Sequence, residues 1–316
     1  MHRIDQADLG PGTRIRSLGP VGIEVSGFDL KRATSESESG AEAFPALREH
    51  VVAEGLVIFR DQTLLPAAHI ALGQRFGTLE SLRVEGDEAS GTKEPAALGM
   101  DDPALIVIGN LDSEGETFAD EDPRMKLMAI NEGWHTDSSF RECPASFSIF
   151  AAVTLPPVGG DTFFASLHRG WEALAPEEQE KLYGRMGVHD YDAAYRLRGN
   201  TSGNVVGFNM PAVEHPLVRA HPETGRSGLY VSEHVAGVAG MNSSEALPVL
   251  DHLIEVTTHP RRVYRHRWMP GDVAIWDNRS MLHRAQGFDS RHPRVMHHVR
   301  VAGSELPIAA VPPSSE

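Results

Sequence analysis

Val21-Gly22-Ile23-Glu24-Val25 alternates apolar and polar positions, the period of a half-buried strand, and Leu56-Val57-Ile58-Phe59 is an apolar run short enough for a strand covered on both faces. Between them residues 41–54 carry apolar positions at helical spacing. A second helix is predicted over 67–76, with Gly77 placed to end it. Residues 104–108 and 145–153 read as strands. Pro156-Pro157-Val158-Gly159-Gly160 reads as a turn into a further strand at 161–165. A helix is expected over 170–182, with Pro176 opening a new turn, and short strands over 229–231, 262–268, 273–276 and 294–301. Pro270-Gly271-Asp272 is a turn, and the tail over 307–316 is expected to fray.

Short strands crowded late in the chain, with helices gathered early, favour a mixed, mainly β domain over a parallel α/β sheet. The expected core is a double-sheet jelly roll with flanking helices. No repeat or linker divides residues 1–316, so one domain is expected. The stretch at about 80–125 is polar, acidic and rich in Gly and Pro apart from its one strand; beside a functional site it is a candidate lid, and otherwise a surface insertion.

Composition narrows the function. Lys plus Arg number 29 against 44 Asp plus Glu, a net charge of -15, which opposes a grip on a phosphate backbone and argues against a nucleic-acid partner. The single cysteine, Cys143, excludes an intramolecular disulfide framework and is expected to be a small buried residue. The start of the chain lacks the apolar stretch of a signal peptide, and no apolar run approaches the ~20 residues of a membrane span. A cytoplasmic protein with no membrane partner is expected.

The chemistry gathers at Trp134-His135-Thr136-Asp137 and, far downstream, at Trp276-Asp277-Asn278-Arg279, His283 and Arg294. On an extended strand, positions two apart face the same way, so His135 and Asp137 can reach one ion together. With a third ligand from His283 they form two imidazoles and one carboxylate, a set that leaves adjacent positions open on Fe(II) for a chelating co-substrate and dioxygen. Among 16 histidines a His-x-Asp tripeptide arises readily by chance, so the wider pattern must carry the reading.

That pattern resembles the taurine dioxygenase and 2,4-dichlorophenoxyacetate dioxygenase family of Fe(II)/2-oxoglutarate-dependent oxygenases. The likeness runs from Val21-Gly22-Ile23-Glu24-Val25 and Val57-Ile58-Phe59-Arg60-Asp61-Gln62 through Trp134-His135-Thr136-Asp137 and Gly159-Gly160-Asp161-Thr162. It continues in His215-Pro216, His221-Pro222-Glu223-Thr224-Gly225, Trp268, Pro270-Gly271-Asp272, Trp276-Asp277-Asn278-Arg279, His283 and Arg294. The resemblance implies His135, Asp137 and His283 as iron ligands and Thr162 and Arg294 as the residues holding 2-oxoglutarate. Arg294 would take the distal carboxylate, since a guanidinium fork matches it in two parallel hydrogen bonds. The implied reaction hydroxylates a small organic substrate with formation of succinate and CO2, and the intact Asp137 disfavours halogenation. The resemblance is compatible with a homo-oligomer.

Two positions bear on the substrate. Asn131, four residues before His135, matches a pocket position of the taurine enzyme, with a turn-forming role as the alternative. His298 stands where that enzyme has a second arginine for its sulfonate, and the histidine expected soon after Gly77 is absent from Thr78-Leu79-Glu80-Ser81-Leu82-Arg83. Taurine is therefore not the expected substrate, which leaves amino-acid-like metabolites, natural-product intermediates and aryloxyalkanoates. Arg83 and Arg300 are alternative anion-binding residues. A catalytically silent metal- or metabolite-binding jelly roll is the alternative to an enzyme, and a zinc hydrolase with the same three ligands is a third. Neither accounts for Arg294 together with the complete triad.

Overall fold

Strands whose residues point alternately to two buried faces organise the molecule. The computed structural model describes residues 9–34, 38–80, 102–112, 114–198 and 211–312. Its large sheet runs, in spatial order, β1 (Arg14–Ser17), β2 (Ile23–Ser26), β3 (Leu56–Phe59), β13 (Val273–Asp277), β5 (Phe147–Thr154), β15 (Val295–Val301) and β4 (Ile106–Gly109). Only β2 and β3 pair in parallel; every other neighbouring pair of this sheet is antiparallel.

On one face of this sheet Val57, Phe59, Phe147, Ile149, Val273, Ile275 and Val299 meet helices α1 (Glu38–Glu54) and α2 (Pro66–Phe76) through Phe44, Leu47, Val51, Leu72 and Phe76. The intervening residues Leu56, Ile58, Phe150, Ala274, Trp276 and Met296 point the other way. There they pack on Phe164 and Met281 of a second sheet, β12 (Val263–His266), β6 (Thr162–Ser166) and β14 (Met281–Ala285). Full burial of each such large apolar side chain stabilises the fold by about 1.5–3 kcal/mol, so both faces of the large sheet are tightly specified and a register slip of one residue would invert them.

A second core lies beyond the small sheet. Leu250, Leu253 and Ile254 of α7 (Ser243–Thr257) pack with Trp171 of α4 (Leu167–Glu172), Leu182 of α5 (Pro176–Leu182) and Leu217, Leu229 and Val235. Around it lie α6 (Tyr191–Leu197) and two short sheets. One joins β10 (Ser227–Leu229), β9 (Val218–Ala220) and β16 (Ile308–Ala309); the other joins β11 (Val235–Val238), β7 (Met186–His189) and β8 (Val213–Pro216).

The structure is thus mainly β, in several sheets with fewer helices. Among the described residues no helix is long and apolar enough to cross a membrane. The helix expected over 170–182 is two helices, α4 and α5, because Pro176 opens α5 at its first turn. Ile308 and Ala309, within the tail expected to fray, pair instead with β9; residues 313–316 lie outside the described residues. Of the candidate lid, residues 81–101 and 113 also lie outside them, while its remainder contributes β4 and the start of α3 (Pro123–Ile130).

Candidate metal centre

His135 and Asp137 do not lie on a regular strand. His135 forms a single antiparallel bridge with His283 of β14, each backbone N–H donating to the other's carbonyl at 2.9 Å, and a turn begins at Asp137. This local pairing replaces the strand expected from the spacing and has the same consequence. The two imidazoles stand side by side with ring centroids 4.2 Å apart, and Asp137 closes the group: one donor atom from each of His135, Asp137 and His283 lies within 4.8 Å of the others.

Protonation suits a cation. His135 Nδ1 lies 2.8 Å from the Gly133 carbonyl, which can only accept, so Nδ1 carries the proton and Nε2 the free lone pair. Burial pushes His283 down to about 3, with neighbouring His135 adding to the shift, so its ring is neutral at neutral pH. For Asp137 burial favours the neutral acid, but the facing groups of His283, His298 and Arg300 outweigh it and hold the carboxyl well below its usual range. Two imidazoles and one carboxylate, all buried, are the donor set that non-haem Fe(II) takes in facial arrangement.

A chain of hydrogen bonds fixes the carboxylate. Trp276 Nε1 donates to Asn278 Oδ1 at 2.9 Å, Asn278 Nδ2 donates to Ser148 Oγ at 2.9 Å, and Ser148 Oγ donates to Asp137 Oδ2 at 2.7 Å. The Asp137 backbone N–H also donates to Asn278 Oδ1, at 3.2 Å. Ser148 and this use of Trp276 escape sequence reasoning; the one signal is a lone hydroxyl inside the apolar strand β5. Ser148→Ala is expected to weaken metal binding by roughly tenfold to a hundredfold, the range seen when a group supporting a ligand is removed. Metal titration checks this, and an unchanged affinity would mean that the backbone alone orients Asp137.

Arg294 lies just before β15 and is buried, 4% exposed. Its backbone N–H donates to Asn110 Oδ1 at 2.7 Å, its Nη2 donates to the Gly160 carbonyl at 3.2 Å, and its Nε has no partner. Among the described residues no carboxylate lies within ion-pair distance of it; Asp161, the nearest in electrostatic influence, is bonded to Arg265 at 2.6 Å. Burial lowers the guanidinium to about 10. Gly160, at φ +71°, makes the room: a Cβ there would stand 2.9 Å from Arg294 Nε. Thr162 Oγ1 accepts from Trp268 Nε1 at 3.0 Å, which leaves the hydroxyl proton of Thr162 free to donate elsewhere.

All seven residues singled out in the sequence, Asn131, His135, Asp137, Thr162, His283, Arg294 and His298, line one cavity of about 290 Å³. His298 is buried against Phe150 and Trp276 with Nε2 3.8 Å from Asp137 Oδ2, and burial pushes it down to about 4, so it offers no cation at neutral pH. Arg300 also borders the cavity, but its Nε lies 3.3 Å from Glu80 Oε2 and its Nη1 donates to Ser138 Oγ at 3.3 Å. Arg83 lies outside the described residues.

Two facing sheets that enclose a three-ligand centre beside a buried, unpaired guanidinium define a site for a metal ion and an anion bound together. Residues 14–301 match the family described as taurine catabolism dioxygenase TauD, TfdA family. The chain belongs to that family. It is 33% identical to an (S)-phenoxypropionate/alpha-ketoglutarate-dioxygenase of Sphingobium herbicidovorans, over 78% of this chain and 82% of the relative. It is likewise 33% identical to an alpha-ketoglutarate-dependent 2,4-dichlorophenoxyacetate dioxygenase of Cupriavidus pinatubonensis, over 84% and 88%. The crystal structure of AAD-2 in complex with Mn(II) and N-oxalylglycine superimposes with a TM-score of 0.78 at 30% identity, covering 93% of this chain and all of that one. A taurine dioxygenase from Burkholderia xenovorans gives 0.70 at 28% identity, covering 95% and 93%.

Proposed function

We propose that this protein is an Fe(II)/2-oxoglutarate-dependent dioxygenase that hydroxylates a small organic substrate. The observation that carries this is the convergence, in one cavity, of the His135, Asp137 and His283 donor atoms with a buried Arg294 that has no carboxylate partner. A buried guanidinium left unpaired is costly, and a dicarboxylate co-substrate removes that cost, whereas a silent scaffold or a zinc hydrolase has no use for it. When bound, iron with 2-oxoglutarate and dioxygen supplies oxidative decarboxylation to succinate and CO2 coupled to oxygen insertion into a substrate C–H bond.

The chain's own residues hold, orient and shield. His135, Asp137 and His283 are the metal ligands; Gly133 sets the tautomer of the first and Ser148 the orientation of the second. Arg294 receives the distal carboxylate of 2-oxoglutarate, and the Thr162 hydroxyl donates to the same molecule while held by Trp268. Phe150, Ile106, Ile108, Met125 and Met128 wall the rest of the cavity and exclude water beside the target bond. The two facing sheets form a jelly-roll core, and Ile106, Ile108 and Met125 bring the described part of the segment at about 80–125 to the wall of this cavity.

Purified protein supplied with Fe(II), ascorbate, 2-oxoglutarate and air is expected to form succinate slowly without a substrate and faster with one. Absence of succinate across a panel of amines, amino acids, aromatic acids and terpenoids, in protein with bound Fe(II), would overturn the reading.

A further inference from the structure

The charge balance of the cavity points past the co-substrate to the substrate. Among the described residues that line it, the carboxylates are Asp137 and Glu132, and the permanent cations are Arg294 and Arg300. Arg300 is engaged by the buried Glu80. Arg141 also approaches Glu80, at 3.8 Å, from a more exposed position. His298 contributes an imidazole and no permanent charge. On the reading proposed above, the iron dication and Arg294 bring three positive charges, and Asp137 with the two carboxylates of 2-oxoglutarate brings three negative ones. The loaded centre is therefore neutral, and among the described residues the charge on the cavity wall that has no ion-pair partner is that of Glu132.

Three structural features define how Glu132 is presented. Its carboxylate makes no hydrogen bond or ion pair with any described residue, and the residue is exposed where it lines the cavity. Gly287 leaves it room: a Cβ at position 287 would stand 3.1 Å from Glu132 Oε1, so no side chain intervenes between that carboxylate and the wall formed by Gln286 and Phe288. Glu132 also follows directly on α3, whose last residue is Ile130 and whose C-cap is Asn131. The carbonyl end of a helix carries partial negative charge and favours a cation near it. Asn131 lines the cavity beside Glu132 and adds an amide oxygen as a second acceptor. The same cavity is lined by the apolar side chains of Ile106, Ile108, Met125 and Met128, which offer an apolar wall to the rest of a ligand.

We propose that Glu132, with Asn131, receives the cationic group of the substrate, so that this enzyme oxidises small molecules carrying a protonated amine on an apolar body. The assignment rests on the dioxygenase reading and adds a substrate class to it. It also separates this chain from an enzyme that selects an anion: the arginine that could take one, Arg300, already has its carboxylate.

Binding to wild-type protein loaded with Mn(II) and saturating 2-oxoglutarate, measured anaerobically by calorimetry, tests this with three matched probes: 3-phenylpropylamine, 3-phenylpropan-1-ol and 3-phenylpropionate. The amine is expected to bind at least about tenfold tighter than the alcohol, as a charge-assisted hydrogen bond of roughly 1.5–3 kcal/mol implies, and the carboxylate most weakly. Glu132→Gln should cancel the advantage of the amine, and Glu132→Lys should turn the preference toward the carboxylate. An amine that binds no tighter than the alcohol to wild-type protein, or fails to bind, overturns the proposal whether or not the variants fold. An advantage that survives Glu132→Gln overturns it as well. Titration of 2-oxoglutarate into wild-type protein loaded with Mn(II) alone keeps the two readings apart. If the co-substrate binds and the amine preference is missing, only the role of Glu132 fails; if the co-substrate itself does not bind the metal-loaded protein, the dioxygenase reading fails first.

Discussion

Asp137→Ala is expected to lower Fe(II)-dependent succinate formation by more than about a hundredfold, beyond the tenfold to hundredfold loss typical when only a supporting group is removed. On the proposed assignment three donors hold the ion, and Asp137 is the anionic one among them. Its loss leaves two neutral imidazoles that have no charge with which to offset the dication. His135→Ala should be nearly as severe, since it removes both a donor and the ring packed at a tilt against His283. Iron content after gel filtration and succinate formation are the two measurements. An Asp137→Ala protein that retains stoichiometric iron and wild-type succinate formation would sink the ligand assignment.

Replacing Arg294 by Met should separate two quantities that usually fall together. The guanidinium is buried, has an unpartnered Nε and faces no carboxylate within ion-pair distance among the described residues, so in the absence of an anion it destabilises the fold. Arg294→Met should therefore leave the Tm of the ligand-free protein unchanged or raise it, by roughly 2–4 °C per kcal/mol of relieved desolvation. The same change should weaken 2-oxoglutarate by about tenfold to a hundredfold and remove most of the stabilisation that this ligand confers by binding the folded state. Thermal melts with and without 2-oxoglutarate, at fixed metal, test both. A full ligand-dependent rise of Tm in the variant would transfer the role to another residue, with Arg300 the next to replace.

The parts of the fold legible in the sequence are those in which local pattern and tertiary burial agree. Leu56-Val57-Ile58-Phe59 reads as a strand buried on both faces because it lies between two cores, and it does. Residues 243–257 present no element to the same reading, yet they form α7. Pro248 inside that helix removes a donor and argues locally against it, and the contact of Ala246, Leu250, Leu253 and Ile254 with the second core outweighs the loss. The capping pair Asn242 and Glu245, which the structure uses at this helix start, is the signal that could have found it.

The site divides in the same way. Residues proposed to carry the chemistry are few and distinctive in type, so His135, Asp137, His283, Thr162 and Arg294 stand out by order and spacing, and they line one cavity. Those that position them are common residues made important by contact alone. Nothing about a serine at 148, a glycine at 160 or a tryptophan at 268 announces a carboxylate, a guanidinium or a hydroxyl to be held. Glu132 belongs to this second group, since its meaning depends on the absence of a partner, and no spacing rule reports an absence.

The reciprocal backbone bridge between His135 and His283 joins positions separated by almost half of the chain. An ion can be gripped by all three donors only once β14 has been laid against β6 and the segment carrying His135 has closed onto it. Loading with iron is thus a late event in the maturation of the polypeptide as it leaves the ribosome. A chain truncated anywhere before residue 283 would lack the third donor, however well its early helices had formed. Because the ion recognises only the finished arrangement, its binding energy adds to the stability of that arrangement and to no partly folded precursor.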